Sequence, residues 1–143
     1  MKISHKTLYA IHFLVALAEQ ANHSKSPLQL REIAERGNLP FKFLEQIALS
    51  LKGAGWIRGQ RGKEGGYSLS IAATQLKLGD IVRRLEGTSS LWEGGDDSDV
   101  QNVLGSILQR CQTAVDDILD SITLSDLLIE IRERRIPGFD YVI

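Results

Sequence analysis

The chain has a single cysteine, three histidines, few aromatic residues and no long apolar run. Each shortage removes a class of protein. A lone thiol, Cys111, cannot close an intramolecular disulfide. It cannot supply the four thiolates that most iron–sulfur clusters use, nor the paired Cys-x-x-Cys spacing of a structural zinc site. No segment approaches the roughly 18 apolar residues that cross a bilayer, so no membrane partner is expected. The apolar part of residues 8–18 is broken by His12, follows Lys2, His5 and Lys6, and has no clear small-residue cleavage site. It reads as a folded helix, not a secretory leader, and the expected location is the cytoplasm. His5, His12 and His23 cluster near the amino terminus, away from any visible nucleophile. With no Ser/His/Asp set and no paired carboxylates outside apparent surface helices, no residue is expected to be catalytic.

Aromatic residues at 6% leave the core to Leu, Ile, Val and Ala. At 143 residues the chain is long enough for one domain, or one domain with an appendage. The net charge of -1 hides an asymmetry: residues 1–87 carry 13 Lys/Arg and 7 Asp/Glu, residues 88–143 carry 4 and 11. A basic first half beside an acidic second half suggests one part that binds a polyanion and one that stays off it.

Residues 28–69 give that basic half its plan. A short helix over residues 30–36 is followed by a tight turn, Gly37-Asn38-Leu39-Pro40, where Gly37 suits a left-handed helix end. A longer helix over 41–52 then stops at Gly53-Ala54-Gly55. Strands over 56–59 and 67–70 flank a glycine-bounded basic tip, residues 60–66. This is the order of a winged helix-turn-helix, in which one helix enters the DNA major groove and a loop lies beside it. In the 41–52 helix, Phe43, Leu44, Ile47 and Leu51 are expected to face inward. Lys42, Glu45, Gln46, Leu49, Ser50 and Lys52 are expected outward. Phe41, Lys42, Glu45 and Gln46 occupy the end that reaches base edges, where Gln pairs with adenine and Glu accepts from cytosine. Lys52, Arg58, Arg61 and Lys63 add cations for phosphates or a narrow minor groove. The glycine-rich tip is no nucleotide loop: it has no Gly-x4-Gly-Lys-Ser/Thr and runs into a strand.

Around this stretch, Leu8, Ile11, Leu14, Val15 and Ala18 space a helix over 7–20 that Ser4 is placed to cap. Leu78, Ile81, Val82 and Leu85 make another, ending at Gly87. Residues 91–101, with Trp92, two glycines and three aspartates, read as an exposed loop. Leu104, Leu108, Cys111, Val115, Ile118 and Ile122 are spaced 4, 3, 4, 3 and 4, the rhythm of a heptad seam, and Val103, Ile107 and Ala114 widen it. Such a stripe needs a partner, and a globular dimer suits its length. Cys111 on the seam is either a small apolar packing residue or a thiol facing its copy. Thr123 and Asp126 resemble a capping box before a last helix carrying Leu127, Leu128 and Ile131. The tail over 139–143 reads as a possible strand. The division expected is a DNA-binding domain over 1–76 and, over 77–143, a connecting helix, loop, dimerisation helix and carboxy-terminal helix.

Together these motifs resemble one family over nearly the whole chain: Met1-Lys2-Ile3-Ser4 with Tyr9-Ala10, residues 30–36, Phe43-Leu44-Glu45-Gln46, residues 51–55, Arg61-Gly62 with Gly65-Gly66-Tyr67, residues 78–87, and Ile122-Thr123-Leu124. It is the Rrf-two family of bacterial winged-helix regulators, which includes the iron–sulfur cluster regulator, the nitrite-sensitive repressor and the cysteine metabolism repressor. The resemblance implies a homodimeric repressor or activator, mainly α with a small β-hairpin, joined by the helix near 103–121 and bound to an imperfect palindrome. Many members hold an iron–sulfur cluster through three cysteines in the loop before that helix. Here the loop, 91–102, has none, and Cys111 falls inside the helix. The chain resembles the cluster-free branch, for which no cofactor is expected and the signal is a partner protein, a small molecule or thiol oxidation. Trp92, Cys111 and His12 are the sensor candidates. Trp92 either closes over a ligand or anchors the loop, and His12 stands where some members recruit a ligand. The competing reading is an interaction module acting through its dimer face with little DNA binding.

Overall fold

The computed structural model describes residues 2–88 and 90–135. The tail for which a strand is suggested lies outside them. The order is α1 (His5–His23), α2 (Leu30–Gly37), α3 (Phe41–Gly53), β1 (Ile57–Gln60), β2 (Gly66–Leu69), α4 (Leu78–Glu86), α5 (Asp99–Asp120) and α6 (Leu124–Arg134).

α1 is the spine, with α2, α3, α4, α6 and β2 all packing on it. Its buried stripe is Ala10, Phe13, Leu14, Leu17 and Ala18, spaced three and four apart along one face. Leu8, one of the apolar residues whose spacing marks the helix, falls off that stripe and is exposed. Ser4 does cap the helix, its hydroxyl accepting from the Thr7 amide at 3.3 Å. The core against this spine is built from Ile33, Leu44, Ile47, Leu51, Ile57, Leu76, Ile81, Leu124 and Leu128. It therefore runs across the boundary at residue 76. α4 and α6 pack into the same interior as α1 to α3.

β1 and β2 pair antiparallel, from Ile57 opposite Leu69 to Gln60 opposite Gly66. Both strands sit one residue nearer the tip than the expected 56–59 and 67–70. Gly66 lets the ladder continue that far, because its backbone passes tightly against Leu28, where any Cβ would fall on the Leu28 carbonyl oxygen. Leu28 itself pairs with Tyr67 through two hydrogen bonds of 2.9 and 2.7 Å, which brings the hairpin onto the core.

The second half is tied down at the α5–α6 junction. The Leu78 amide donates to the Ile122 carbonyl, and the Leu124 amide to the Leu76 carbonyl, each at 2.8 Å. Arg83 of α4 donates to Asp120 at 2.6 Å and to Asp80 at 3.1 Å. Gly79 leaves the space for Asp120, since a Cβ there would overlap its carboxylate. The expected capping box is present: Thr123 accepts from the Asp126 amide and Asp126 accepts from the Thr123 amide. Ile122 lies in this junction beyond the end of α5, so the helical part of the seam stops at Ile118.

A second tie joins the start of α1 to the end of α4. Glu86 Oε1 accepts from the Ser4 amide at 2.7 Å and from the hydroxyl of fully buried Thr7 at 2.5 Å. The Thr7 hydroxyl, then Ser4, holds the Glu86 carboxyl below the usual carboxylate range. A depressed folded-state pKa stabilises the fold above the ordinary glutamate pKa of about 4.3, and that contribution fades as pH falls through the lower folded value. Glu86→Gln should therefore melt below wild type at neutral pH, with the gap narrowing in acid. Thermal melts in a pH series check this, and a gap independent of pH would contradict the clamp.

Candidate nucleic-acid interface

The turn between α2 and α3 is built by a buried leucine. Leu39 folds inward and its amide donates to the Ala34 carbonyl at 2.8 Å. Asn38, not Gly37, takes the left-handed conformation, with φ 50°. Asparagine tolerates it at modest cost. Gly37 is small for a different reason: a Cβ there would meet the Leu39 side chain at 2.8 Å. Pro40 sits at the N-cap of α3, where a missing amide proton costs nothing.

α3 buries Leu44, Ile47, Ala48 and Leu51, and turns Lys42, Glu45, Gln46, Leu49 and Lys52 outward. Phe43 corrects the expected pattern. It is 54% exposed, because successive residues turn by about 100° and position 43 rotates off the buried stripe. Its ring instead leans on Tyr9 of α1 at 6.3 Å, and Tyr9 meets His5 at 5.9 Å. Phe41, at the first position of the helix, is exposed as well.

The wing tip carries Arg61, Lys63 and Glu64, all exposed. Gly62 at φ 109° makes the turn, and the Gly65 amide donates back to the Gly62 carbonyl at 3.0 Å. Gln29, at the N-cap of α2, donates from its side chain to the Lys63 carbonyl at 3.4 Å, so the tip is held beside the helix-turn-helix. Among the described residues, Lys42, Arg61 and Lys63 make no ion pair, which leaves their charge for an outside anion. Arg58 is placed apart from this group. It lies mid-strand opposite Ser68 and lines the clefts between the hairpin and the end of α1.

α5 shows the reverse of a core helix. Gly105 is its one buried residue among those described; Leu104, Cys111 and Ile118 are exposed, and Leu108 and Val115 half-buried. Val103, Ile107 and Ala114 extend the same uncovered stripe. Trp92 is half-buried with its indole against Gly105, where a Cβ would meet the ring nitrogen at 2.8 Å. The loop is thus pinned to α5 by its tryptophan. α5 begins at Asp99, capped by Ser98, so residues 99–101 are helical and not part of the expected loop.

The loop over 91–102 carries no cysteine; of its carboxylates, Asp96 accepts from the Ser98 amide and Asp97 from the Asn102 side chain. Cys111 and His12 are exposed on α5 and α1, and among the described residues no three His, Cys, Asp or Glu side chains are grouped to hold a metal.

A reader helix fixed on a three-helix core, a basic wing held beside the start of α2, and a long amphipathic helix beyond it define a winged helix-turn-helix DNA-binding protein. The profile of the Rrf2 family, described as an iron-dependent transcriptional regulator, matches residues 3–130, and the chain belongs to that family. The regulator CymR of Bacillus subtilis (strain 168) is 37% identical over 127 residues, spanning 89% of each chain. The solved structure of CymR, the global cysteine regulator of B. subtilis, superposes with a TM-score of 0.80 at 35% identity, covering 91% of this chain and 98% of that one. The structure of T. potens IscR superposes with a TM-score of 0.78 at 33% identity, covering 96% and 93%. The chain is a DNA-binding transcriptional regulator, not an enzyme. Among the described residues no helix is long and apolar enough to cross a membrane.

Proposed function

We propose that two copies join along α5 and present two α3–wing readers to an imperfect palindrome in duplex DNA. The observation that carries this reading is the uncovered apolar stripe of α5, with Leu104, Val103, Ile107 and Ile118 all exposed and Ile118 at 62%. A contiguous patch of this kind is unfavourable in water, and a second copy of the same stripe is its natural cover. Two-fold pairing places the readers to meet half-sites about one helical turn apart, roughly 34–36 Å. Lys42, Lys52, Arg61 and Lys63 then address phosphates or the minor groove, while Glu45 and Gln46 address base edges. Arg58, turned toward α1, adds to the general positive field.

We further propose that the protein works without a conventional iron–sulfur cluster, supported by the cysteine-free loop over 91–102. Its signal is then a small molecule, a protein co-regulator or oxidation of Cys111, which stands exposed on the stripe. The reading as an interaction module without DNA contact is disfavoured by the unpaired cations of the wing tip.

Three outcomes are expected. Arg61→Ala should weaken retardation of promoter DNA and make its salt dependence shallower by about one unit of slope, with the melting temperature unchanged. Undiminished binding would displace the wing from the interface. In sedimentation, wild type should run as a dimer and Leu108→Asp as a folded monomer; a wild-type monomer both free and on DNA would defeat the paired arrangement. Anaerobically purified protein should show no visible band near about 400 nm, where charge transfer from thiolate to iron absorbs, and such a band would overturn the cluster-free reading.

A further inference from the structure

Two large apolar side chains stand exposed to solvent on the outward side of α3. Leu49 is 69% exposed and Phe41 is 49% exposed. Leu49 lies three and four residues beyond Gln46 and Glu45, and Phe41 lies four before Glu45. Side chains at these spacings are neighbours on one helix surface, so the four form one continuous patch, with Phe41 at its edge, seven residues before buried Ala48. Phe43 is different, because its ring is turned toward Tyr9. An isolated exposed leucine on a helix is unremarkable. Here the two apolar groups bracket both base-reading candidates, on the face that the helix-turn-helix presents to the major groove.

In that groove the base edges carry hydrogen-bond donors and acceptors and one apolar group, the C5 methyl of thymine. We infer that Leu49 and Phe41 read thymine methyls on either side of the base pairs addressed by Glu45 and Gln46. This rests on the proposed contact of α3 with base edges. Apolar contact hides both the methyl and the side chain from water, and it cannot form at cytosine or at a purine edge. Each half-site therefore requires thymine at the flanking positions. The wing and the lysines supply affinity that is indifferent to sequence.

The probe is a duplex recovered by the full-length protein from a randomised pool, then resynthesised with uracil in place of thymine in both half-sites. Only the methyls are lost. Wild type should bind the uracil duplex roughly three- to tenfold more weakly for each covered methyl, the scale of one buried methyl group. The Phe41→Ala/Leu49→Ala variant should bind the two duplexes alike. Both positions are exposed, so this variant should melt with wild type. The wild-type ratio of thymine to uracil affinity is in any case a test that needs no variant. Equal wild-type binding to the two duplexes would overturn the inference while leaving DNA binding intact. So would discrimination that persists in the double variant. Failure to recover or retard any duplex at low salt would remove the proposed DNA contact and this inference together.

Discussion

The arrangement depends on the packing of α3 against α1. Leu44, Ile47, Ala48 and Leu51 are essentially sealed in a core with Phe13, Leu14 and Leu17. Because a helix turns by about 100° per residue, sealing that stripe leaves no freedom in what the opposite face shows. Lys42, Glu45, Gln46 and Leu49 point outward because their neighbours point in. The buried Leu39 turn fixes the angle at which the chain enters α3, and Leu28 pairing with Tyr67 fixes where the wing begins. A reader of DNA needs this rigidity, since base-edge contacts tolerate little misplacement.

The link from reader to α5 is polar and small. Arg83 joins α4 to Asp120 at the end of α5, Gly79 makes the room, and two backbone hydrogen bonds staple the α5–α6 junction beside them. Glu86, three residues beyond Arg83, holds the start of α1. A displacement of α5 thus has a short covalent and hydrogen-bonded path, through α4, to the helix on which α3 rests. Trp92 pins the loop to the same α5 at Gly105. An event in the loop or on the α5 stripe is mechanically close to the reader, which is a useful property in a regulator.

Local signals were legible wherever the deciding contacts lie a few residues apart. Ser4, the Thr123–Asp126 box, the glycine that ends α4 and the wing's glycine-bounded turn all act through neighbours in sequence. Readings failed where a distant partner decides. Leu8 and Phe43 are apolar and helical, yet the core has no room on their side, and Phe43 finds Tyr9 instead. Gly37 is needed for Leu39 and not for a left-handed turn, which falls to Asn38. The position of Arg58, exposed on β1 and lining the cleft beside α1, is likewise set by the tertiary structure. Spacing alone puts Leu49 on the outer face; its exposure there, at 69%, is a finding of the tertiary structure.

By itself the sequence determined the order of elements, the family, the stripe along α5 and the absence of loop thiols, because composition, periodicity and short-range capping are properties of the chain. Only the tertiary structure decided which apolar residues are inside, which cations stand free at the wing, and how α5 is tied to the reader. Those outcomes depend on residues about 30 to 110 positions apart meeting in one close-packed interior, where each site filled by one side chain is denied to another.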